Sequence, residues 1–186
     1  MNQEANIAKR DKAGALAPNV FEADANAGSQ NITQEDLALP FLKVLGQLSP
    51  EVNKKDSKYT VGAEPGKIYN TVTTELYDEI DVLPVFYKRQ YVANHFVVLL
   101  SGSTPSTALI SMKATQLKIS KKWNTMMMSI KMRGKNGLFT PPTYSHIYRL
   151  KTVQQSNDKG TWYGWDVSKL DTIKDKGAYE VAKSFA

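Results

Sequence analysis

Residues 115–135, TQLKISKKWNTMMMSIKMRGK, hold six basic residues, one tryptophan and four methionines, and no carboxylate. Cations without local counter-charges attract polyanions, so this stretch is a candidate phosphate-binding surface. The surrounding chain has the same bias. Between Asp81 and Asp158 lie 76 residues with eleven Lys or Arg and no Asp or Glu, while the rest of the chain carries a net −5. A random window of that length would hold about seven acids, so the division is a property of this sequence rather than of its overall composition. Aromatic rings are interleaved with these cations: Tyr87, Lys88, Arg89 and Tyr91, then Tyr144, His146, Tyr148, Arg149 and Lys151, then Trp162. Lys and Arg neutralise phosphates, and exposed rings stack on unpaired bases at about 1 to 3 kcal/mol per base, which suits sequence-tolerant binding of a single-stranded nucleic acid.

The candidate phosphate contacts are therefore Lys88, Arg89, Lys118, Lys121, Lys122, Arg133, Lys135, Arg149 and Lys151, and the candidate stacking rings are Tyr87, Tyr91, Tyr144, Tyr148 and Trp162. The plainer fate of any single ring is burial in a core, and that of a basic helix face is simple solvation. Two observations favour binding. A solvated helix ordinarily mixes charges of both signs, and a strand that alternates rings with Arg and Lys turns at least one of the two sets to solvent.

Other chemistries have little support. With no cysteine, disulfides, thiolate metal sites and thiol nucleophiles are all excluded. A metal-dependent nuclease needs clustered carboxylates, and the region most able to grip a polyanion has none. The two histidines are His95 and His146; the second alternates with tyrosines, which suits packing or stacking better than general-base work. Ser101, Ser103 and Ser106 have no evident base, and no phosphate-binding loop of the GxxxxGK[ST] type occurs. The expectation is a non-enzyme without cofactor or metal. The longest apolar run, Phe96 to Leu100, is too short to span a bilayer, and MNQEANIAKRDK has charges where a signal peptide needs an apolar core, so a cytoplasmic protein is expected.

The elements that must position these residues can be read from periodicity. Residues 1–33 are poor in large apolar side chains and predict a flexible tail, leaving 34–186 as a single domain. DLALPFLKVLGQLSPEV predicts a short helix or strand docked on the core, because Pro40 and Gly46 interrupt any long helix. Near-alternation in GKIYNTVTTELYDEIDVLPVFYKRQYV predicts two strands with a turn at Thr73 to Glu75, and HFVVLLSG with TALISM predicts another pair. Ile119, Trp123, Met126, Met127 and Ile130 form a helical stripe, with Lys118, Lys121 and Lys122 on another face and Gly134 and Gly137 as the expected end. YSHIYRLKTVQQ, SNDKG and TWYGWDV predict a hairpin, and KGAYEVAKSFA a C-terminal helix. Antiparallel strands, one helix, then a hairpin give a mostly β chain in the order of an OB-fold, a five-stranded Greek-key barrel with its helix between the third and fourth strands. A generic α+β sandwich is the competing arrangement.

Five of these segments, DLALPFLKVLGQLSPEV, GKIYNTVTTELYD, VLPVFYKRQYV, SKKWNTMM and KGTWYGWDV, resemble stretches of single-stranded DNA-binding proteins with an OB-like core from the replication modules of tailed bacteriophages. The resemblance spans roughly residues 36 to 170. It implies a protein that coats and protects unpaired DNA in phage replication or recombination, in the cytoplasm of the infected bacterial host. The implied partners are single-stranded DNA and phage replication or recombination proteins, and a homo-oligomer is compatible with this role. Proteins of that kind commonly end in an acidic tail that recruits a polymerase or helicase, whereas this sequence ends AKSFA. The alternative function is a structural or virion-associated interaction protein whose basic face meets an acidic partner. A small nuclease is a distant third.

Overall fold

A computed structural model describes residues 38–186 apart from 102, 103 and 159, so the tail expected over residues 1–33 lies outside the described residues. In chain order the strands are β1 (Phe41–Val44), β2 (Ile68–Asn70), β3 (Leu76–Tyr77), β4 (Glu79–Arg89), β5 (Ala93–Leu99) and β6 (Ser106–Met112). Helix α1 (Leu117–Ser129) follows, then the small ribbon β7 (Met132–Gly134) and β8 (Gly137–Phe139), the long hairpin β9 (His146–Asn157) and β10 (Gly160–Thr172), and helix α2 (Lys176–Phe185). Eight strands form one sheet in the order β10-β9-β4-β5-β6-β1-β2-β3, and the sheet curls into a half-barrel. Neighbours are antiparallel except β1 and β6, which run parallel. The chain is mostly β, as its alternation predicts.

The concave face holds the main core. Ile80 and Val82 of β4, Val97 and Leu99 of β5, Ile110 and Met112 of β6, Tyr148 and Leu150 of β9, and Trp165 and Val167 of β10 share it with Trp123 and Met127 of α1. Period-two alternation puts these residues on one side of each strand, and burying a large apolar side chain stabilises by about 1.5 to 3 kcal/mol. Leu83, Val85 and Val98 face the other way and are covered by Ala178 and Ala182 of α2. Burial on both faces explains why VLPVF and FVVLL read as continuous apolar runs instead of alternating. The Asp175 side chain caps α2, accepting from the Ala178 N–H at 3.1 Å. Pro84, which has no N–H to give a ladder, sits beside a register shift: Pro84 pairs with Val97, but Phe86 pairs with Phe96. The extra residue reverses the side-chain parity beyond it, which sets Tyr87 opposite His95.

Two expectations need correction or refinement. Helix α1 ends at Ser129, where Ile130 is already extended, and Gly134 and Gly137 instead lie in the β7–β8 ribbon, Gly137 with φ +110° at its turn. A two-stranded ribbon of three residues per strand is too short for a period to show in the sequence. The segment expected as a short helix or strand is the strand β1 followed by a single 3-10 turn at Pro50–Val52.

Candidate nucleic-acid interface

The β4–β5 hairpin carries the densest cluster of the expected residues. Lys88 pairs with Asn94 and Arg89 with Ala93, and both cations are exposed. Tyr91, in the turn between the strands, is 97% exposed. Tyr87 is 37% exposed, with its ring centre 5.0 Å from that of His95, which stacks on Trp123 at 4.4 Å. Ala93 also pairs with Met112, so Lys113 emerges at the same end of the sheet, and α1 starts four residues later. Lys118, Lys121 and Lys122 are exposed on α1 as the helical stripe predicts, with Lys122 at 3.9 Å from Asp166. Arg133 and Lys135 are exposed on the β7–β8 ribbon beside Leu138 and Phe139. Among the described residues, no carboxylate lies within ion-pair distance of Lys88, Arg89, Lys113, Lys118, Lys121, Lys131, Arg133 or Lys135.

Other expected residues are placed differently. Tyr148 is fully buried, 5.9 Å from Trp123, and burial pushes its hydroxyl up to about 12. It is a core residue and cannot stack on a base. Arg149 is tied up: Nε and Nη2 donate to Asp81 at 2.7 and 2.9 Å, and Nη1 lies 2.8 Å from Glu79. These partners keep its guanidinium charged and neutralise it, so Arg149 is not a free phosphate contact. Lys151 is exposed but stands in register between Glu79 on β4 and Asp166 on β10, a mixed-charge neighbourhood. Tyr144 is half-buried against Tyr179 of α2 at 5.4 Å, and half-buried Trp162 donates through Nε1 to Gln155 at 3.2 Å.

Both histidines are structural. Burial pushes His95 down to about 4, and its Nε2 lies 2.8 Å from Ser120 Oγ. Burial, with help from Lys169, also lowers His146, whose Nδ1 lies 2.8 Å from Ser145 Oγ.

The structure adds a surface that sequence reasoning missed. On the face away from the main core, Phe86, Phe96, Leu109 and Phe41 stand in register across four adjacent strands. Phe86 and Phe96 stack at 4.0 Å, and Phe185 of α2 meets both edge-on. The next row on that face holds Lys88, Asn94 and Ser111, with Lys43 following Leu42 on β1. Lys43 Nζ is 2.6 Å from the buried carboxylate of Glu51; burial pushes that carboxyl up, but the hydrogen bond and charge of Lys43 outweigh it and hold it below its ordinary value. The only local signal was the alternation of Phe41 and Lys43.

Beside this row a cleft of about 660 Å³ opens between β1, β6 and β10, with Tyr163, Gly164, Trp165 and Gln116 in its lining. Two glycines shape it. Gly66, at φ +96°, lies under the Tyr163 ring, where a Cβ would come within 2.8 Å of a ring carbon. A Cβ on Gly164 would come within 2.2 Å of Gln116 Nε2, so only glycine lets Gln116 lie flat there and accept the Trp165 N–H at 2.8 Å.

The family model for Pam3 phage gp34-like proteins matches residues 10–93 and 92–186 of this chain. The chain belongs to that family. It is therefore a phage-type protein, and the two matched segments meet in the β4–β5 hairpin, next to exposed Tyr91. No curated protein and no solved structure matches the chain. Among the described residues of this gp34-like protein, no helix is long and apolar enough to cross a membrane.

Proposed function

We propose that this phage protein binds single-stranded DNA without reading its sequence, coating and protecting unpaired strands during replication or recombination in the cytoplasm of the infected host. The observation that carries the reading is the set of exposed cations on the β4–β5 hairpin, α1 and the β7–β8 ribbon that no described carboxylate neutralises. Cations already paired within the protein gain little from a phosphate, whereas unpaired ones release counterions from the strand they bind. Tyr91 and Tyr87 supply exposed rings beside Lys88 and Arg89, and base stacking needs no sequence readout. The protein acts by binding alone, without catalysis or cofactor, and its protein partners are phage replication or recombination factors or further copies of itself.

The strand path supports an OB-like reading of the core. Taking β4, β5, β6, β9 and β10 as strands one to five, they lie side by side in the order 5-4-1-2-3 with α1 between the third and fourth. In an OB-fold the second and third strands and the loops joining strands one to two and four to five form the oligonucleotide face. Here those are β5, β6, the Tyr91 turn and the β9–β10 turn.

Titrating the protein with oligo(dT), duplex DNA and poly-glutamate separates the readings. Quenching of tryptophan fluorescence by oligo(dT) at concentrations where duplex and poly-glutamate have no effect is the expected outcome. Response to poly-glutamate alone would replace this reading with that of a protein-interaction module.

A further inference from the structure

We propose that the cleft between β1, β6 and β10 receives one unstacked nucleobase of the bound strand, so that the protein holds single-stranded DNA by an internal pocket as well as by its basic surface. The inference rests on the single-strand-binding reading above. The cleft, at about 660 Å³, falls within the range of about 300 to 1,000 Å³ typical of small-molecule sites. Its lining combines three kinds of chemistry. Tyr163 and Trp165 contribute aromatic surface to its lining, Asn94, Ser111 and Gln116 contribute polar groups, and Lys113 brings a positive charge that no described carboxylate neutralises, whereas Lys43 is already paired with Glu51. No Asp or Glu lines it.

Flat aromatic surface, amide and hydroxyl groups, and a free cation match the three parts of a nucleotide: ring, base edge and phosphate. A free phosphate would have no use for the rings, and an apolar peptide would have none for the cation. The Gln116 amide is oriented by its own contacts. Oε1 is occupied by the Trp165 N–H, and Nε2, held against Gly164, has no partner in the protein. An unpaired buried donor is costly, and a base carbonyl or ring nitrogen supplies the acceptor it lacks. The route in is continuous with the basic surface, because Val92 and Asn94, at the foot of the Lys88–Tyr91 turn, also line the cleft. A base held in a duplex stack cannot leave it to enter such a pocket without unpairing, so the cleft also gives a physical reason for single-strand preference.

The test is photo-cross-linking of the full chain to oligo(dT) carrying 5-iododeoxyuridine, mapped by mass spectrometry, together with the affinity of Ser111→Phe, which fills the cleft. Cross-links to Tyr163 or Trp165 are expected. Ser111→Phe is expected to weaken binding about tenfold with an unchanged salt slope, since it removes a stacking site and no phosphate contact. Cross-links confined to Tyr87 and Tyr91 would overturn the pocket while leaving single-strand binding intact, as would wild-type affinity in folded Ser111→Phe. Absence of any binding to oligo(dT) would overturn both. If Ser111→Phe fails to fold, the cross-link map of the wild-type protein decides the matter alone.

Discussion

Replacing Lys88 and Arg89 together with alanine isolates the electrostatic part of the proposed function. Both side chains are exposed at the end of the β4–β5 hairpin and neither has an ion-pair partner among the described residues, so the fold loses almost nothing. Each single-strand phosphate contact contributes about −0.7 to the slope of log affinity against log salt, so the double variant should flatten that slope by about 1.4. At 0.1 M salt, one decade below the 1 M reference, that corresponds to about fivefold per contact and about 25-fold for the pair, shrinking towards no difference at high salt. Anisotropy of labelled oligo(dT), titrated from about 0.05 to 0.5 M salt, measures both numbers. Arg149→Ala is the internal control. Its guanidinium is spent on Asp81 and Glu79, so this variant should keep the wild-type slope. An unchanged slope in the double alanine variant, or an equal flattening in Arg149→Ala, would refute the assignment of free and committed cations.

Other expectations follow from the same geometry. The wild-type protein should show a slope near −3 to −4 if about four to six phosphates are neutralised. Trp123→Ala should cost about 3 to 5 kcal/mol in urea denaturation, because it empties the centre of the core; Trp123→Phe should cost much less, since the lost indole N–H has no partner there. Gly66→Ala should destabilise by about 1 to 3 kcal/mol, combining a left-handed φ with overlap on the Tyr163 ring, and a wild-type denaturation midpoint would contradict this. Burial holds His95 at about 4 against an ordinary 6.5, so the unfolded chain takes up the proton first as pH falls. Stability should be complete above about pH 6.5 and decline towards pH 4, by on the order of 3 kcal/mol across the window, and denaturant midpoints of His95→Gln should show a flatter pH dependence than wild type.

The features that sequence alone determined here are those decided by neighbours a few residues apart. Alternation located the long hairpin of β9 and β10, the 3.6-residue stripe located α1 and turned Trp123 inward and Lys118 and Lys121 outward, and simple counting revealed the acid-free stretch. Tyr91 was named from its place among the cations, but the sequence put it at the end of a strand; its full exposure comes from the turn between β4 and β5, which only the strand pairing revealed. Tertiary structure decided everything that depends on which strand lies beside which. Tyr148 and Tyr91 are the same residue type in the same basic stretch, yet one is sealed in the core because the sheet curls over its face. Arg149 lies within an acid-free run, but its partner Asp81 is 68 positions away and arrives only when β9 pairs with β4. The cleft brings together Lys43, Ser111 and Trp165 from three distant segments. No local pattern encodes such a meeting, because strand partners are chosen by the burial of whole faces, a sum over residues spread along the entire chain.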